Sequence, residues 1–216
     1  ATAQELTEHA QTINDVDEVI IVSGSNVERQ IHHTPLAITT FDSQTIERLS
    51  FGSQADILRH IQGIKAEGGG GDLATNVAVV GMPFAGQYEF TPLMYDGLPA
   101  FSTFGLNSSA SDVYIRNDLS IERLEFVRGG VVNLFGPASA VGLINYISKS
   151  PLENDPSIIQ WRQSSENGSK FDFYHTHALN ADSGLSLSGF LKYDKGPLDT
   201  GLSSSGGQLK LIYEKQ

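Results

Sequence analysis

Apolar and polar positions follow two rhythms along the chain. Up to Pro151, short β-branched or aromatic runs alternate with clusters of turn residues; beyond it, apolar and polar residues alternate one by one. In the first part, Glu18-Val19-Ile20-Ile21-Val22, closed by Ser23-Gly24, reads as a strand or a strand-forming docking segment. Residues 36–41 favour a strand, after which Asp42 or Ser43 caps a short helix reaching Leu49. Ser53-Gln54-Ala55-Asp56 resembles a capping box, Ala55, Leu58 and Ile61 recur at helical spacing, and Gly63 supplies the stop. Residues 64–67 start another extended piece, broken by the four glycines 68–71. Residues 77–80 and 92–95 read as strands, the latter closed by Asp96-Gly97 with Pro99 beyond. Residues 100–112 carry no periodicity, and a loop of that length inside a domain is often functional. Residues 121–127 form a run that enters Arg128-Gly129-Gly130, and 142–148 form a last strand before Pro151.

After Pro151, Leu185, Leu187, Gly189, Leu191 and Tyr193 alternate with Ser186, Ser188, Phe190, Lys192 and Asp194. Leu209, Leu211 and Tyr213 alternate with Gln208, Lys210, Ile212 and Glu214, and Phe171 and Phe173 with Asp172 and Tyr174. Residues 158–164 are a weaker fourth candidate. Asn167-Gly168, Asp182-Ser183-Gly184 and residues 201–207 carry the turn chemistry between them. Period-2 segments of about ten residues with aromatic ends mark transmembrane β-strands. The same pattern suits a soluble antiparallel meander.

Charge sharpens the division. Residues 1–150 hold 8 basic and 17 acidic groups (−9), residues 151–216 hold 6 and 8 (−2), and the whole chain carries −11. Such acidity argues against a nucleic-acid partner, which would have to be met by cations. With no cysteine there is no disulfide framework, thiolate metal site or cysteine nucleophile. No apolar run approaches the roughly 18–20 residues of a membrane helix. Residues 1–9 have neither the basic start nor the apolar stretch of a signal peptide, so the expectation is a cytosolic chain or a mature product. Residues 1–17 are polar and read as mobile.

Catalytic patterns are weak. Gly69-Gly70-Gly71-Asp72-Leu73-Ala74 fits a relaxed dinucleotide spacing, but the chemistry needs a helix to start there, and 75–83 reads as strand and turn. His175 and His177 share a strand face but lack a predictable third ligand. His32-His33 lies in a polar, solvated segment. No Gly-x-Ser-x-Gly elbow is present, and the carboxylates are scattered. The expectation is a protein that is not an enzyme and has no resident metal or cofactor.

Six segments in order resemble the plug domain of TonB-dependent outer-membrane transporters. Asp17-Glu18-Val19-Ile20-Ile21-Val22-Ser23-Gly24 is similar to the TonB box and plug start, and residues 56–64 to the aspartate helix followed by "PGV". Residues 68–71 match the glycine loop, and Tyr95-Asp96-Gly97-Leu98-Pro99 the "DG-x-P" turn. Residues 121–129 match "IERIEVLRG", and 135–149 resemble "YG…GGVINIITK". The likeness covers about two thirds of the chain. Departures are Gln62 for the proline of "PGV", Val80-Gly81 for an Arg-Gly pair, and Gly130 for the proline after Arg128-Gly129.

The resemblance implies an α+β plug, a small mixed β-sheet with short helices at residues 18–150, followed by antiparallel strands of an incomplete transmembrane β-barrel at 151–216. It implies a mobile periplasmic N-terminus at 1–17 and a place in the Gram-negative outer membrane, with the plug inside the barrel. Asp17, Glu18, Val19, Ile20, Ile21 and Val22 would dock by strand addition to the TonB C-terminal domain, energised through ExbB and ExbD. Gly69, Gly70, Asp72, Phe84, Gln87, Tyr88, Phe101 and Phe104 would touch ligand from apical loops. Glu122, Arg123 and Arg128 would pair plug with barrel wall. The implied partners are outer-membrane lipid and a small-molecule ligand. That ligand would be a ferric siderophore carrying its own iron, or alternatively cobalamin or an oligosaccharide. A soluble periplasmic or secreted β-rich binding module is the reading from a different class. Barrels that enclose a plug need around 22 strands, so four candidate strands lead us to expect part of a longer receptor.

Overall fold

The computed structural model describes residues 20–21, 29–30, 37–49, 51, 53–68, 75–82, 88, 90–100, 115–129, 139, 141–153, 155–164, 168–195 and 203–216. The expected mobile residues 1–17 and the loop 100–112, apart from Ala100, lie outside that set.

The N-terminal domain is built on a five-stranded mixed sheet in the order β3-β8-β9-β6-β7. Its strands are β3 (Ala37–Asp42), β6 (Leu93–Tyr95), β7 (Leu98–Pro99), β8 (Ile121–Arg128) and β9 (Gly142–Ser148). Among the described residues of this sheet, the β6–β9 pair alone is parallel. Two short ladders flank it. β1 (Ile20–Ile21) pairs with β2 (Arg29–Gln30), a strand that sequence pattern does not announce, and β4 (Ile64–Gly68) pairs with β5 (Thr75–Val79).

Local chemistry explains the elements. Asp42 caps α1 (Ser43–Leu49) by accepting the Thr45 amide at 2.7 Å, and hydrogen bonding from Thr45 holds the Asp42 carboxyl below its ordinary range. Ser53 caps α2 (Gln54–Arg59) by accepting the Asp56 amide at 3.1 Å. Asp96 (φ 49) and Gly97 (φ 76) both take left-handed backbone, the geometry of a two-residue hairpin turn joining β6 to β7. That turn is latched to β9. The Asp96 carboxylate accepts the Ser148 amide at 2.7 Å and its hydroxyl at 2.8 Å, and Asn145 Oδ1 accepts the Gly97 amide.

The helices and the sheet share one core, in which Ile57, Leu58, Leu124, Phe126, Ile144 and Tyr146 are almost completely buried. Gln54 reaches into it and donates to the Tyr146 hydroxyl. Thr75–Val79 forms the strand β5, as read from the sequence.

The second body is a four-stranded antiparallel meander of β10 (Ile158–Gln163), β11 (Ser169–Asn180), β12 (Ser183–Asp194) and β13 (Ser204–Lys215). Residues 204–207, read from their serines and glycines as turn, belong to β13. Twelve consecutive pairs with β12, from Ser183↔Lys215 to Asp194↔Ser204, outweigh the local preference.

Register fixes two opposed faces. One presents Ile159, Trp161, Leu187, Leu191, Leu209, Leu211 and Tyr213, all exposed. The other carries Lys170, Asp172, Tyr174, Ser186 and Ser188, all buried against the N-terminal domain. The meander is therefore polar toward protein and apolar toward its surroundings, the reverse of a soluble sheet.

Candidate functional site

The seam between the two bodies is held by polar groups. Lys210, on the inward register of β13, places Nζ 3.0 Å from Asp118 Oδ2 and donates to Ser120 Oγ at 2.9 Å. Asp118 is fully buried, and its other carboxylate oxygen accepts the Ser120 amide at 2.9 Å and the Ser120 hydroxyl. The same ammonium lies 5.1 Å from the Tyr95 ring centroid. Burial pushes the Tyr95 hydroxyl up in pKa, against the pull of Lys210.

Lys149 makes a second, mirrored clasp. It is buried, lies 3.0 Å from Glu47 on α1 and 4.0 Å from Asp155, and faces the Tyr174 ring of the meander at 5.1 Å. Each clasp is thus one cation held by a carboxylate and an aromatic ring. Further hydrogen bonds add to them. Gln160 donates to the Glu47 carbonyl, and the Ser150 hydroxyl donates to Glu214 at 2.6 Å. A desolvated cation over an aromatic face contributes about 2 kcal/mol. The larger effect is that removing one partner leaves a buried charge alone.

The residues expected to pair plug with wall are placed as follows. Arg123 donates to the fully buried Glu125 at 2.7 Å, within its own strand. Arg128 donates to the Gln62 carbonyl at 2.5 Å and lies 5.7 Å from the Phe126 ring. Glu122 sits where the β8–β9 register slips between Ile121 and Arg123. Burial raises its pKa, opposed by Lys149 and reinforced by Asp155 and Glu153. Among the described residues, then, both arginines have partners inside the N-terminal domain. The clasps instead run through Asp118, Lys149 and Lys210, which sequence reasoning did not single out. One signal was available: the alternation of β13 already puts Lys210 on the polar face, where a charge needs an acid from another element.

Tyr88, expected on a ligand-facing loop, is a correction. It is 5% exposed and packs in the N-terminal core, on left-handed backbone with φ 53. Its ring area is better buried with its apolar neighbours than presented to solvent. Gly69, Gly70, Asp72, Phe84, Gln87, Phe101 and Phe104 lie outside the described residues, as do Asp17, Glu18, Val19 and Val22. Ile20 and Ile21 are extended and pair on one edge with Arg29 and Gln30. His175 and His177 lie on the exposed face of β11, and His175 shares a hydrogen bond with Ser157. No group of potential metal ligands occurs among the described residues.

An N-terminal α+β domain clasped by charges against an inverted sheet is the arrangement of a pore stopper and its wall. A family model described as the TonB-dependent Receptor Plug Domain matches residues 30–143, more than half of the chain. The chain belongs to this family. It is 25% identical over 144 residues to the iron-regulated outer membrane virulence protein of Vibrio cholerae serotype O1, covering 65% of this chain and 21% of that protein. It is 24% identical over 191 residues to the vitamin B12 transporter BtuB of Vibrio vulnificus, covering 87% of this chain and 30% of that one.

The pyoverdine outer membrane receptor FpvA of Pseudomonas aeruginosa PAO1, solved with pyoverdine bound, superposes with a TM-score of 0.71. The identity is 19%, over 91% of this chain and 27% of that receptor, and the likeness shows the shared fold. The chain thus spans less than a third of the length of these proteins. Its N-terminal domain is a plug, its meander is antiparallel barrel wall, and its place is the Gram-negative outer membrane. The family is one of receptors and transporters rather than enzymes.

Proposed function

We propose that this chain is the plug and first wall strands of an energy-coupled importer whose ligand is a ferric siderophore. The observation that carries the reading is the inverted meander, apolar on its outer face and joined to the plug by the Lys210–Asp118 ion pair and by Lys149 of the plug over the Tyr174 ring. Polar seams suit a plug that must be displaced and return, because water can replace each contact as it breaks.

Force enters at the N-terminal side. Residues 17–22 add as an extended strand to the TonB C-terminal domain, with ExbB and ExbD supplying the energy, and the backbone carries the affinity. The ligand rests on the outer loops of the plug, where Gly69, Gly70, Asp72, Phe84, Gln87, Phe101 and Phe104 are the contact residues. The two-residue turn at 181–182 is of the short periplasmic kind. The likeness to an iron-regulated protein and to a pyoverdine receptor supports iron uptake, whereas the likeness to BtuB favours cobalamin as the second reading.

The test is uptake of radio-iron siderophore and of radiolabelled cobalamin by cells carrying the full-length receptor or a form lacking residues 17–22. The expected result is iron uptake that falls to background in the deletion while surface binding of the siderophore persists. Uptake that survives the deletion contradicts the docking assignment, and uptake of cobalamin alone transfers the ligand assignment to the second reading.

A further inference from the structure

Where α2 and residues 115–120 of the plug meet β11 and β12 of the wall, a narrow crevice runs between the two bodies. Phe51, Gln54 and Asn117 line it from the plug, and Lys170, Phe190 and Lys192 from the wall. The centre of a water molecule has about 10 Å³ in which to sit there. That is about the least that one buried water needs, and it is too little for two.

Two acceptors on this crevice lack a donor. Gln54 is 2% exposed, its amide nitrogen donates to the Tyr146 hydroxyl, and its Oε1 is buried with no hydrogen-bond partner. Asn117 Oδ1 is likewise buried without a partner. An amide oxygen buried unpaired costs free energy, so the large majority of such atoms in folded proteins find a donor. The two oxygens cannot serve each other, because both accept. The cations around them are engaged elsewhere. Lys170 Nζ lies 2.7 Å from Asp172, and Arg116 and Lys192 have interactions of their own.

We infer that the crevice is a binding site for a single water molecule that bridges plug and wall. Its two hydrogens go to Gln54 Oε1 and Asn117 Oδ1, and its oxygen accepts from the Lys170 ammonium. An ammonium carries three donors, so Lys170 keeps Asp172 and still gives one N–H to the water. The ring of Phe190, 4.8 Å from Lys170 Nζ, holds that ammonium beside the crevice. Three hydrogen bonds are the usual complement of a buried water. The site follows from the seam alone and holds whichever ligand is imported. It adds a joint of a different kind to the two clasps. A clasp opens only by parting a buried charge from its partner, whereas the water re-pairs with either body, or leaves, as the two separate.

A crystal structure of the full-length receptor, at a resolution that orders solvent, tests the site directly. The expected result is one peak within about 3.2 Å of Gln54 Oε1, Asn117 Oδ1 and Lys170 Nζ, with no anomalous signal there after a bromide soak. An empty crevice, a side-chain N–H that donates straight to both oxygens, or an anomalous peak overturns the inference.

The bridge also has a signature in solution. Gln54→Met, Asn117→Leu and the double variant are unfolded in urea as full-length receptors. Each single change leaves the water and the remaining oxygen short of a partner, and is expected to lower the midpoint for the plug. The double change removes both acceptors together, so its shift is expected to be smaller than the sum of the two single shifts. The Gln54–Tyr146 bond is lost in both variants that carry Gln54→Met, so it drops out of the comparison. Additive shifts overturn the bridge. If a variant fails to assemble, the crystal structure of the unaltered receptor decides alone.

Discussion

At the residue scale the seam depends on a few desolvated charges. Asp118 is completely buried beside a Lys210 ammonium that is itself largely covered. Asp118→Ala leaves that ammonium without its carboxylate, and the expected cost is about 3–5 kcal/mol. In the full-length receptor this reads as a lower urea midpoint for the plug. Asp118→Ala combined with Lys210→Met recovers much of the loss, because no lone charge then remains; an uncoupled pair in that cycle argues against the clasp.

Glu122 gives a pH signature. Burial raises its pKa in the folded protein, so its protonated form is the one folding favours. Its contribution is full below the unfolded carboxyl pKa and is lost as pH rises through the raised value. Glu122→Gln is therefore expected to raise the plug's melting temperature at pH 7 and to change it little at pH 4, as thermal denaturation at the two values can check. These residues were the least legible in the sequence. Asp118 and Lys210 are 92 positions apart, and no local pattern pairs them. Arg123 and Arg128, which resemblance assigned to the wall, have nearer partners in Glu125 and the Gln62 carbonyl. Tyr88 read as a loop aromatic because position alone does not reveal burial.

At the element scale the sequence was far more readable. Alternation placed all four wall strands, and capping chemistry placed both helices, because these signals are local. What it missed also has a local cause. Arg29–Gln30 lacks β propensity and is a strand only through its pairing with Ile20–Ile21, while serines and glycines disguised the start of β13.

Two substitutions test the elements. Gly142 opens β9 at φ 151, and a Cβ there would clash with the Val127 carbonyl oxygen. Gly142→Ala is expected to part β8 from β9 at their shared end and to speed amide exchange at Arg128 and Leu143; unchanged exchange would show that the ladder tolerates the side chain. Leu209→Arg places a cation in the middle of the outer face, where a lipid environment penalises it by about 2–4 kcal/mol. The expectation is less heat-modifiable receptor in the membrane fraction. Normal assembly would mean that this face does not meet lipid.

At the scale of the whole molecule, the two bodies are complementary in a way that neither reveals alone. The plug has an ordinary apolar core under its sheet and short helices. Among the described residues the wall contributes nothing to the buried apolar clusters, since most of its large apolar side chains point away from the plug and polar ones form much of the seam. On the proposed reading that division lets the plug move while the wall stays in lipid, and it is the claim on which the account rests. Spin labels at Leu187, Leu209 and Leu211 and at Ser186 and Ser188, in full-length receptor reconstituted in lipid bilayers, test it most directly. The account predicts that the three leucine positions are reached by lipid-soluble oxygen and shielded from an aqueous nickel chelate, while the two serine positions are shielded from both. Leucine positions open to the nickel chelate would contradict it.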